Sequence, residues 1–331
     1  MARRFQKLLC LLVLMQTSAA QTPALDVQAE ASTDADVHTI DAGTPEGLRD
    51  LFRFTGEQLP IVSAHRGGAG PGLPENCIAT FQATVQHGYA MLEIDPRVTR
   101  DGQIVIHHDA TLDRTTTGHG PVREQTLAEI RKLRLKDSNG KVTGHQIPTL
   151  SEVFRWARGR AVLVIDAKDL SITERVRQIE EHDAESYAMV IAGNVKSAKE
   201  CYELNPDIMM EVFISDRQKF EAFEASGIRW SNVIAFVGHQ PTEDQDLIRM
   251  LHERGVSTIA GTSRNLDRGW TRSTDLAQEL APKYRELLER GIDLLETDVP
   301  RRVWPVLYHD VDIPESKQRY SGRGPLSVDQ F

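Results

Sequence analysis

The sequence predicts an α/β fold of the TIM (β/α)₈ barrel type, and three observations support this prediction. Eight short apolar runs recur along the chain, most of them separated by stretches with apolar residues at helical spacing. Several of the helical stretches close on a glycine, where a left-handed cap would end a helix. No GxGxxG loop is present, which disfavours a doubly wound open sheet.

The eight apolar runs are interpreted as the parallel strands of the barrel, and the helical stretches between them as its outer layer. Those stretches carry apolar residues on one face and include SEVFRWARG, ITERVRQIEEH and EDQDLIRMLHERG. The predicted strands are Ile61–Ser63, Met91–Ile94, Ala161–Ile165, Ala188–Ile191, Met209–Ile214, Val233–Val237, Val256–Ile259 and Leu294–Thr297.

A ninth apolar run, Ile104–Ile106, follows the second strand too closely to be its parallel neighbour, because a parallel crossover needs about a dozen residues. The dipeptide Asp101-Gly102 before it favours a hairpin turn. Pro96 to Asp109 is therefore predicted to form a hairpin on the C-terminal rim of the barrel. Residues 110–146 form a small insertion after it. They are expected to cover one side of the barrel mouth, with a helix opened by the capping box Thr126–Glu129.

The N-terminus has the pattern of a secretory signal peptide: a basic start, the apolar run LLCLLVLM, and small residues that predict cleavage after Ala20. The apolar run is too short to span a bilayer, and no later run is long enough. Residues 1–20 are therefore predicted to be a signal peptide, residues 21–44 a disordered leader, and residues 45–331 the barrel domain. The mature chain is expected to be periplasmic or secreted, without an integral membrane segment.

The formal net charge is −9, and removal of the signal peptide takes away three cations and no acid. Such an acidic surface repels nucleic acid and anionic membranes, so neither is expected as a partner. An anionic substrate would need a local cation or a metal.

Cys77 and Cys201 allow one disulfide at most. Stability is therefore expected to come from a hydrophobic core. The chain has 331 residues, and 40% of them are hydrophobic, which is enough for a large core.

Polar side chains collect where the first three predicted strands and the hairpin end. Reactive groups of such barrels lie at these strand ends. Glu93 and Asp95 are two residues apart, so on a strand they point to the same side. Like charges in one barrel mouth repel each other unless a cation or a substrate offsets them. The remaining candidates are His65 and Arg66, then His107, His108 and Asp109, and finally Asp166 with Lys168.

This set of side chains fits a metal-assisted phosphodiesterase. Carboxylate oxygens suit a hard divalent ion such as Mg²⁺ or Ca²⁺ better than Zn²⁺. Arg66 and Lys168 can take the remaining charge of a phosphate group. Two histidines can divide the proton transfers that P–O cleavage needs, because histidine titrates near neutral pH.

Six motifs follow one another between Ser63 and Lys168: AHRG, PEN before an amphipathic helix, LEIDPRVTRDG, VIHHDATLDRTTTGHGPV, IPTLSEV and IDAK. Together they resemble the glycerophosphodiester phosphodiesterase family. Beyond Asp169 the resemblance weakens to the strand pattern and a terminal LLETD. The resemblance implies a TIM-barrel enzyme that cleaves glycerophosphodiesters, as small-molecule substrates, to sn-glycerol 3-phosphate and an alcohol.

The resemblance also implies a role for each candidate residue. The roles are an acid/base pair of His65 and His108, phosphate contacts from Arg66 and Lys168, and one divalent ion, Mg²⁺ or Ca²⁺, held by Glu93, Asp95 and Asp166. The family's histidine directly precedes an aspartate, which selects His108 over His107. The attacking group is either a glycerol hydroxyl, which would give a cyclic phosphate, or water.

Two positions depart from the family pattern. Cys77 stands where threonine usually follows PEN and is interpreted as a small structural residue at a helix start. Asp166 stands where many relatives carry glutamate, and its shorter reach bears on the choice between Mg²⁺ and Ca²⁺. In the loop after His65, the glycines are expected to let the backbone approach the phosphate. Glu75 and Asn76 are expected to tie that loop to the next helix by capping its free N–H groups.

Two other functions stay open on sequence alone. The barrel and the histidine pair also resemble phosphatidylinositol phospholipase C and sphingomyelinase D, cyclising enzymes that act on phospholipid or lysophospholipid. Trp270 and Trp304 would then supply an apolar rim. The second alternative is not an enzyme but a non-catalytic barrel that binds ligands. Such a barrel has no chemical need for two histidines beside three carboxylates. The head group and the oligomeric state are also left open.

Overall fold

Eight parallel strands close into a barrel in the computed structural model, which describes residues 36–240, 243–272 and 277–324. Around the barrel the strands follow one another in chain order, and the last pairs with the first. In chain order the strands, including four outside the barrel, are β1 Val37–Ile40, β2 Ile61–Ala64, β3 Tyr89–Ile94, β4 Pro96–Val98, β5 Ile104–Ile106, β6 Val162–Ile165, β7 Ala188–Ala192, β8 Met209–Phe213, β9 Val233–Phe236, β10 Thr258–Gly261, β11 Leu294–Thr297 and β12 Ser321–Gly324.

The barrel consists of β2, β3 and β6 to β11, and each of these corresponds to one predicted strand. The prediction of a TIM-type (β/α)₈ barrel is therefore confirmed. The helices are α1 Pro45–Phe52, α2 Ile78–His87, α3 Leu127–Ile130, α4 Leu150–Ala157, α5 Ile172–Glu181, α6 Val195–Leu204, α7 Arg217–Glu224, α8 Gln245–Glu253, α9 Asp267–Arg272, α10 Ala277–Glu289 and α11 Pro300–Tyr308.

Five consecutive helices, α4 to α8, begin at side chains suited to capping. In each, the side-chain oxygen of the capping residue accepts a hydrogen bond from the backbone N–H three residues later, which satisfies a donor that the helix leaves free. The capping residues are Thr149, Ser171, Asn194, Asp216 and Asp244.

Alternate residues of the barrel strands face the interior and the helical layer. In β2, for example, Ile61 belongs to the interior cluster and Val62 to the cluster beneath the helices. The interior cluster also contains Leu48, Leu51 and Phe52 from α1. Helix α1 therefore closes the N-terminal end of the barrel, and the opposite end remains available for polar groups.

The predicted rim hairpin is confirmed: β4 and β5 pair antiparallel, with Pro96 opposite Ile106. The insertion, residues 110–146, packs around Leu112, Val122 and Ile130, which form a small separate cluster. Its helix α3 begins with the predicted capping box between Thr126 and Glu129, in which both reciprocal hydrogen bonds are formed.

The prediction that residues 21–44 are disordered is wrong for the last residues of this segment. Strand β1 pairs antiparallel with β12, and Val37 and Ile40 are almost completely buried. The signal peptide and the earlier part of the leader lie outside the described residues. Within the described ranges, no helix is long and apolar enough to cross a membrane. Cys77 and Cys201 are both buried free thiols.

Candidate active site

A cavity of about 580 Å³ opens at the C-terminal ends of the barrel strands. Six of the seven predicted site residues line it, and the seventh, Asp95, lies directly beneath with its side chain fully buried. Arg114 and Ser138 from the insertion form part of the wall, so the insertion does border the barrel mouth, as expected. The six lining residues are His65, Arg66, Glu93, His108, Asp166 and Lys168.

Three carboxylates meet at the floor of this cavity. Glu93 and Asp95 come from the end of β3 and Asp166 follows the neighbouring strand β6; one oxygen from each lies within 4.8 Å of the others. Burial, and then the nearby charges of Asp95, Glu296 and Asp166, raise the pKa of Glu93 well above its usual range. A divalent cation would remove this repulsion, and an all-oxygen donor set suits Mg²⁺ or Ca²⁺. The three residues therefore fit a metal site.

Groups around the carboxylates orient them. The Asn76 amide donates to Oδ2 of Asp95 at 2.6 Å, and the Asp95 backbone N–H donates to Oδ1 of Asn76 at 3.2 Å. The Arg66 backbone N–H donates to Oε2 of Glu93 at 2.8 Å. The expectation that Asn76 caps the next helix is wrong, because its side chain is used to hold Asp95; Cys77 occupies the capping position of α2 without a side-chain hydrogen bond.

The two predicted phosphate contacts lie beside the same carboxylates. Lys168 places its Nζ 3.0 Å from Oδ1 of Asp95 and 2.5 Å from Oδ2 of Asp166. Arg66 places its Nε 3.9 Å from Oδ2 of Asp95 and its Nη1 3.5 Å from Glu75. Both side chains are about four-fifths buried. Two cations thus stand at the edge of the carboxylate cluster and face the cavity.

His65 is held by a carboxylate from the last barrel strand. Its Nδ1 lies 2.6 Å from Oδ1 of Asp298, which follows β11. Burial alone would lower the pKa of His65, but the hydrogen bond to Asp298 and the charge of Glu296 outweigh it and raise that pKa. The bond to Nδ1 leaves Nε2 as the ring nitrogen available for proton transfer.

His108 is held in a similar way from the other side of the cavity. Its Nδ1 lies 2.7 Å from Oδ1 of Asp109. Arg114 in turn donates to both oxygens of Asp109 at 2.6 and 2.8 Å, and to both oxygens of Glu75 at 2.7 and 2.9 Å. Burial lowers the pKa of His108, and the charges of Arg66 and Lys168 act in the same direction. The two histidines therefore have pKa values shifted in opposite directions.

The neighbouring His107 is engaged elsewhere, which supports the choice of His108. His107 is 2% exposed. Its Nδ1 lies 2.9 Å from the carbonyl oxygen of Asp109, and its Nε2 lies 2.9 Å from Oγ1 of Thr115. Because a carbonyl oxygen only accepts, Nδ1 carries the proton and Nε2 accepts from the threonine hydroxyl. Burial lowers the pKa of His107. Both of its nitrogens are thus used within the fold.

The glycine-rich loop after His65 serves close packing. Gly67 has φ +79°, and a Cβ there would lie 2.3 Å from the Phe81 ring of α2. Gly68 has φ +82°, and a Cβ there would lie 2.2 Å from Pro300 of α11. Only glycine tolerates both the left-handed backbone and these approaches. The contacts of these glycines are therefore with two outer helices.

The charged residues that line the cavity include Glu296, Asp298, Glu211 and Arg114, which the sequence did not predict as site residues. Glu296 and Asp298 carry the same signal as Glu93 and Asp95, two acids spaced by one residue at a strand end. Glu211 is an acid inside an apolar run, which is a weaker signal. Arg114 lies in the insertion and has no spacing signal. All four line the cavity.

Trp304 does not form part of the predicted apolar rim. Trp304 donates from Nε1 to the carbonyl oxygen of Pro60 at 2.8 Å and packs against Tyr89. These partners lie before β2 and at the start of β3, so Trp304 packs at the end of the barrel away from the cavity. The side chain of Trp270 lies outside what the structure describes.

Comparison with known proteins agrees with the resemblance of the motifs. The family model of the glycerophosphoryl diester phosphodiesterase family matches residues 65–247, more than half of the chain. A protein from Caldanaerobacter subterraneus named glycerophosphodiester phosphodiesterase is 36% identical over 156 residues, which are 45% of this chain and 64% of that protein. The match thus spans just under two thirds of that relative.

Solved structures share the fold. A glycerophosphoryl diester phosphodiesterase from Parabacteroides distasonis superposes with a TM-score of 0.82 at 36% identity, over 86% of this chain and 99% of that one. A phosphodiesterase from Oleispira antarctica, solved in complex with the product sn-glycerol-3-phosphate, has a TM-score of 0.56 at 24% identity, over 75% and 97%; its similarity shows the fold alone. On the family match and the Parabacteroides distasonis structure together, the chain belongs to the glycerophosphoryl diester phosphodiesterase family.

Proposed function

We propose that this protein is a metal-dependent glycerophosphodiester phosphodiesterase that forms sn-glycerol 3-phosphate and an alcohol, with His65 and His108 as its acid/base pair. One observation carries the proposal: two carboxylate-held histidines, a carboxylate triad and two cations line or adjoin a single cavity. The substrate class is supported by the names of the Caldanaerobacter subterraneus relative and of the Parabacteroides distasonis enzyme.

The histidines supply the two proton transfers. Cleavage of the P–O bond removes one proton from the attacking oxygen and delivers another to the departing alcohol oxygen. The opposite pKa shifts favour a protonated His65 and a neutral His108 near neutral pH, so one ring can give a proton while the other takes one. If a cyclic phosphate forms first, the two histidines exchange roles when water opens the ring.

The charged residues around the phosphate site complete the mechanism. Glu93, Asp95 and Asp166 would hold one divalent ion, Mg²⁺ or Ca²⁺. Such an ion, when bound, polarises a phosphoryl oxygen and offsets the negative charge that grows on it. Arg66 and Lys168 add positive charge at the same place, Arg66 as a planar fork and Lys168 as a point charge.

The reaction class is tested with the chain lacking residues 1–20 and with glycerophosphocholine as substrate. Chelation is expected to abolish release of glycerol 3-phosphate, and Mg²⁺ or Ca²⁺ is expected to restore it, because the carboxylate triad needs a cation. Coupled detection of glycerol 3-phosphate measures the rate, and phosphorus NMR detects any cyclic phosphate. Release that is unaffected by a chelator would contradict metal dependence, and a cyclic end product would place the protein with the cyclising enzymes.

The pH profile tests the histidine pair. A bell-shaped profile is expected, because His65 must be protonated and His108 neutral. The basic limb reports the higher pKa, that of His65, since activity falls as this ring loses its proton. Asp298→Asn removes a charge that raises this pKa, so the basic limb is expected to move to lower pH. Asp310→Asn, at a side chain that is 96% exposed, is the control. An unchanged basic limb in Asp298→Asn would contradict the assignment.

We further propose that the protein is exported through a signal peptide of residues 1–20. The basic start, apolar run and small residues before Gln21 support this. Mass spectrometry of the protein from its native host is expected to find Gln21 as the mature N-terminus. Intact Met1 on protein retained in the cytoplasm would overturn the proposal.

A further inference from the structure

Two glutamates that the proposed mechanism does not use line the cavity. Glu211 is the third residue of β8, and Glu296 is the third residue of β11. Both line the cavity although they are only 1% and 6% exposed. Carboxyl groups are seldom buried this deeply unless they have a partner. Their position inside the barrel therefore calls for a ligand or for bound water.

Glu211 has an oxygen with no protein partner. Its Oε2 is completely buried and makes no hydrogen bond within the described part of the chain. No lysine or arginine among the described residues lies within salt-bridge distance of Glu211. Buried polar atoms without a partner are rare in native proteins, and such an atom in a cavity wall is a place where a ligand can donate a hydrogen bond.

The surroundings favour a small polyol over a second metal ion. Among the described residues, the cluster of three close metal-ligating groups is Glu93, Asp95 and Asp166, which excludes Glu211 and Glu296. Apolar side chains adjoin Glu211 instead. Phe213 lies two residues further along the same face of β8 and packs on Phe236, with ring centroids 4.7 Å apart. Carboxyl oxygens beside apolar walls match a molecule with hydroxyl groups on a short carbon chain.

Glu296 lies on the His65 side of the phosphate site, because it pairs with Ser63 of β2, whereas Glu211 lies on β8, across the barrel from β2. Glu296 is close enough to His65 for each charge to affect the pKa of the other group. The charge of Glu296 in turn raises the pKa of Glu211. A ligand that contacts both carboxyl groups would therefore reach from beside His65 across the barrel mouth. This is where one substituent of a bound phosphodiester would lie.

We propose that Glu211 and Glu296 bind the two free hydroxyls of the substrate's glycerol, so that the site selects deacylated glycerophosphodiesters over lysophospholipids. The inference rests on the proposed function, which supplies the phosphate site. Each hydroxyl donates to a carboxyl oxygen, and the carbon chain packs against Phe213 and Phe236. An acyl ester removes a donor, leaves a buried carboxyl group unpaired and puts an apolar chain against it. A site that is built to hydrogen-bond a group of its ligand strongly rejects analogues that lack this group.

Binding is the first test, because it does not depend on turnover. Calorimetry on the Ca²⁺-loaded protein compares sn-glycerol 3-phosphate with n-propyl phosphate, which has the same chain length and no hydroxyls. We expect sn-glycerol 3-phosphate to bind about 10- to 100-fold more tightly, as two buried hydrogen bonds allow. Glu211→Gln and Glu296→Gln, two independent isosteric variants, are each expected to lower this ratio at least several-fold. Glu203→Gln, at an exposed side chain, is the control and should keep the ratio.

Turnover is the second test. The wild-type protein is expected to have a kcat/KM for glycerophosphocholine at least about 100-fold above that for lysophosphatidylcholine. Equal binding of the two phosphates, or an unchanged ratio in both glutamine variants with native circular dichroism, would overturn the inference. A preference for lysophosphatidylcholine would overturn it too, while the phosphodiesterase chemistry would stand. If neither diester is cleaved but the binding ratio holds, the proposed function fails and the diol site is supported.

Discussion

Replacing His108 by glutamine is expected to lower kcat by about 10²- to 10⁴-fold, the range that general acid–base catalysis contributes. Glutamine is polar and of similar size but cannot exchange a proton near neutral pH. The His108 side chain is 28% exposed, and its partner Asp109 keeps two hydrogen bonds from Arg114. The variant should therefore fold normally, and the loss should appear in kcat with glycerophosphocholine.

The adjacent histidine provides the matched control. His107→Asn can still donate to the carbonyl oxygen of Asp109 but leaves the hydroxyl of Thr115 without its acceptor. The free energy of unfolding is expected to fall by about 1–3 kcal/mol, while kcat stays within a few-fold of wild type. Urea denaturation and kcat measured on both variants separate the two roles. If His107→Asn lost kcat as severely as His108→Gln and remained equally stable, the choice of His108 would be wrong.

Strand-end residues could be predicted because the barrel topology fixes where they meet. Glu93 and Asp95 are two apart on one strand, and Asp166 ends the next barrel strand in sequence, so their convergence follows from the fold once the strands are recognised. The same rule applies to Glu296 and Asp298 after the last strand. They were not predicted as site residues because the motif resemblance weakens beyond Asp169. The spacing of two acids around one residue at a strand end is nevertheless the same as in Glu93 and Asp95.

Contacts between loops could not be predicted in this way. Arg114 bridges Asp109 to Glu75, 39 residues earlier in the chain, and the path of the insertion decides this contact. The amide of Asn76 was expected to cap a helix, a local role, but it holds Asp95 instead. Local propensity describes what a side chain can do nearby, whereas tertiary packing decides which partner it reaches.

The ordered end of the predicted leader has a similar explanation. Strand β1 has only four residues, and its partner β12 lies near the far end of the described chain. A strand this short has little periodicity of its own, so its order comes from a long-range pairing that composition does not reveal. Glu211 could not be predicted for a related reason. A single acid within an apolar strand gives no local signal of function, and only the closed barrel shows that this position lies near the polar mouth.

Asp95→Asn is expected to remove most of the activity, by about 10³-fold, because metal-ion catalysis supplies several kcal/mol and each 1.36 kcal/mol is tenfold in rate. Asparagine keeps an oxygen for the Asn76 amide but carries no charge, so the site loses one of its three anionic ligands. The variant should also lose the stabilisation that an ion gives to the wild-type fold, which is about 2.7 kcal/mol at a hundred times the dissociation constant.

Thermal unfolding with a chelator and then with Mg²⁺ or Ca²⁺ measures this stabilisation without an assay of activity. The ion is expected to raise the Tm of the wild-type protein and of Asp310→Asn, whose side chain is exposed, but to have little effect on Asp95→Asn. An equal rise in Tm in Asp95→Asn would mean that the ion binds elsewhere, since removal of one of three carboxylate ligands should weaken binding at this site.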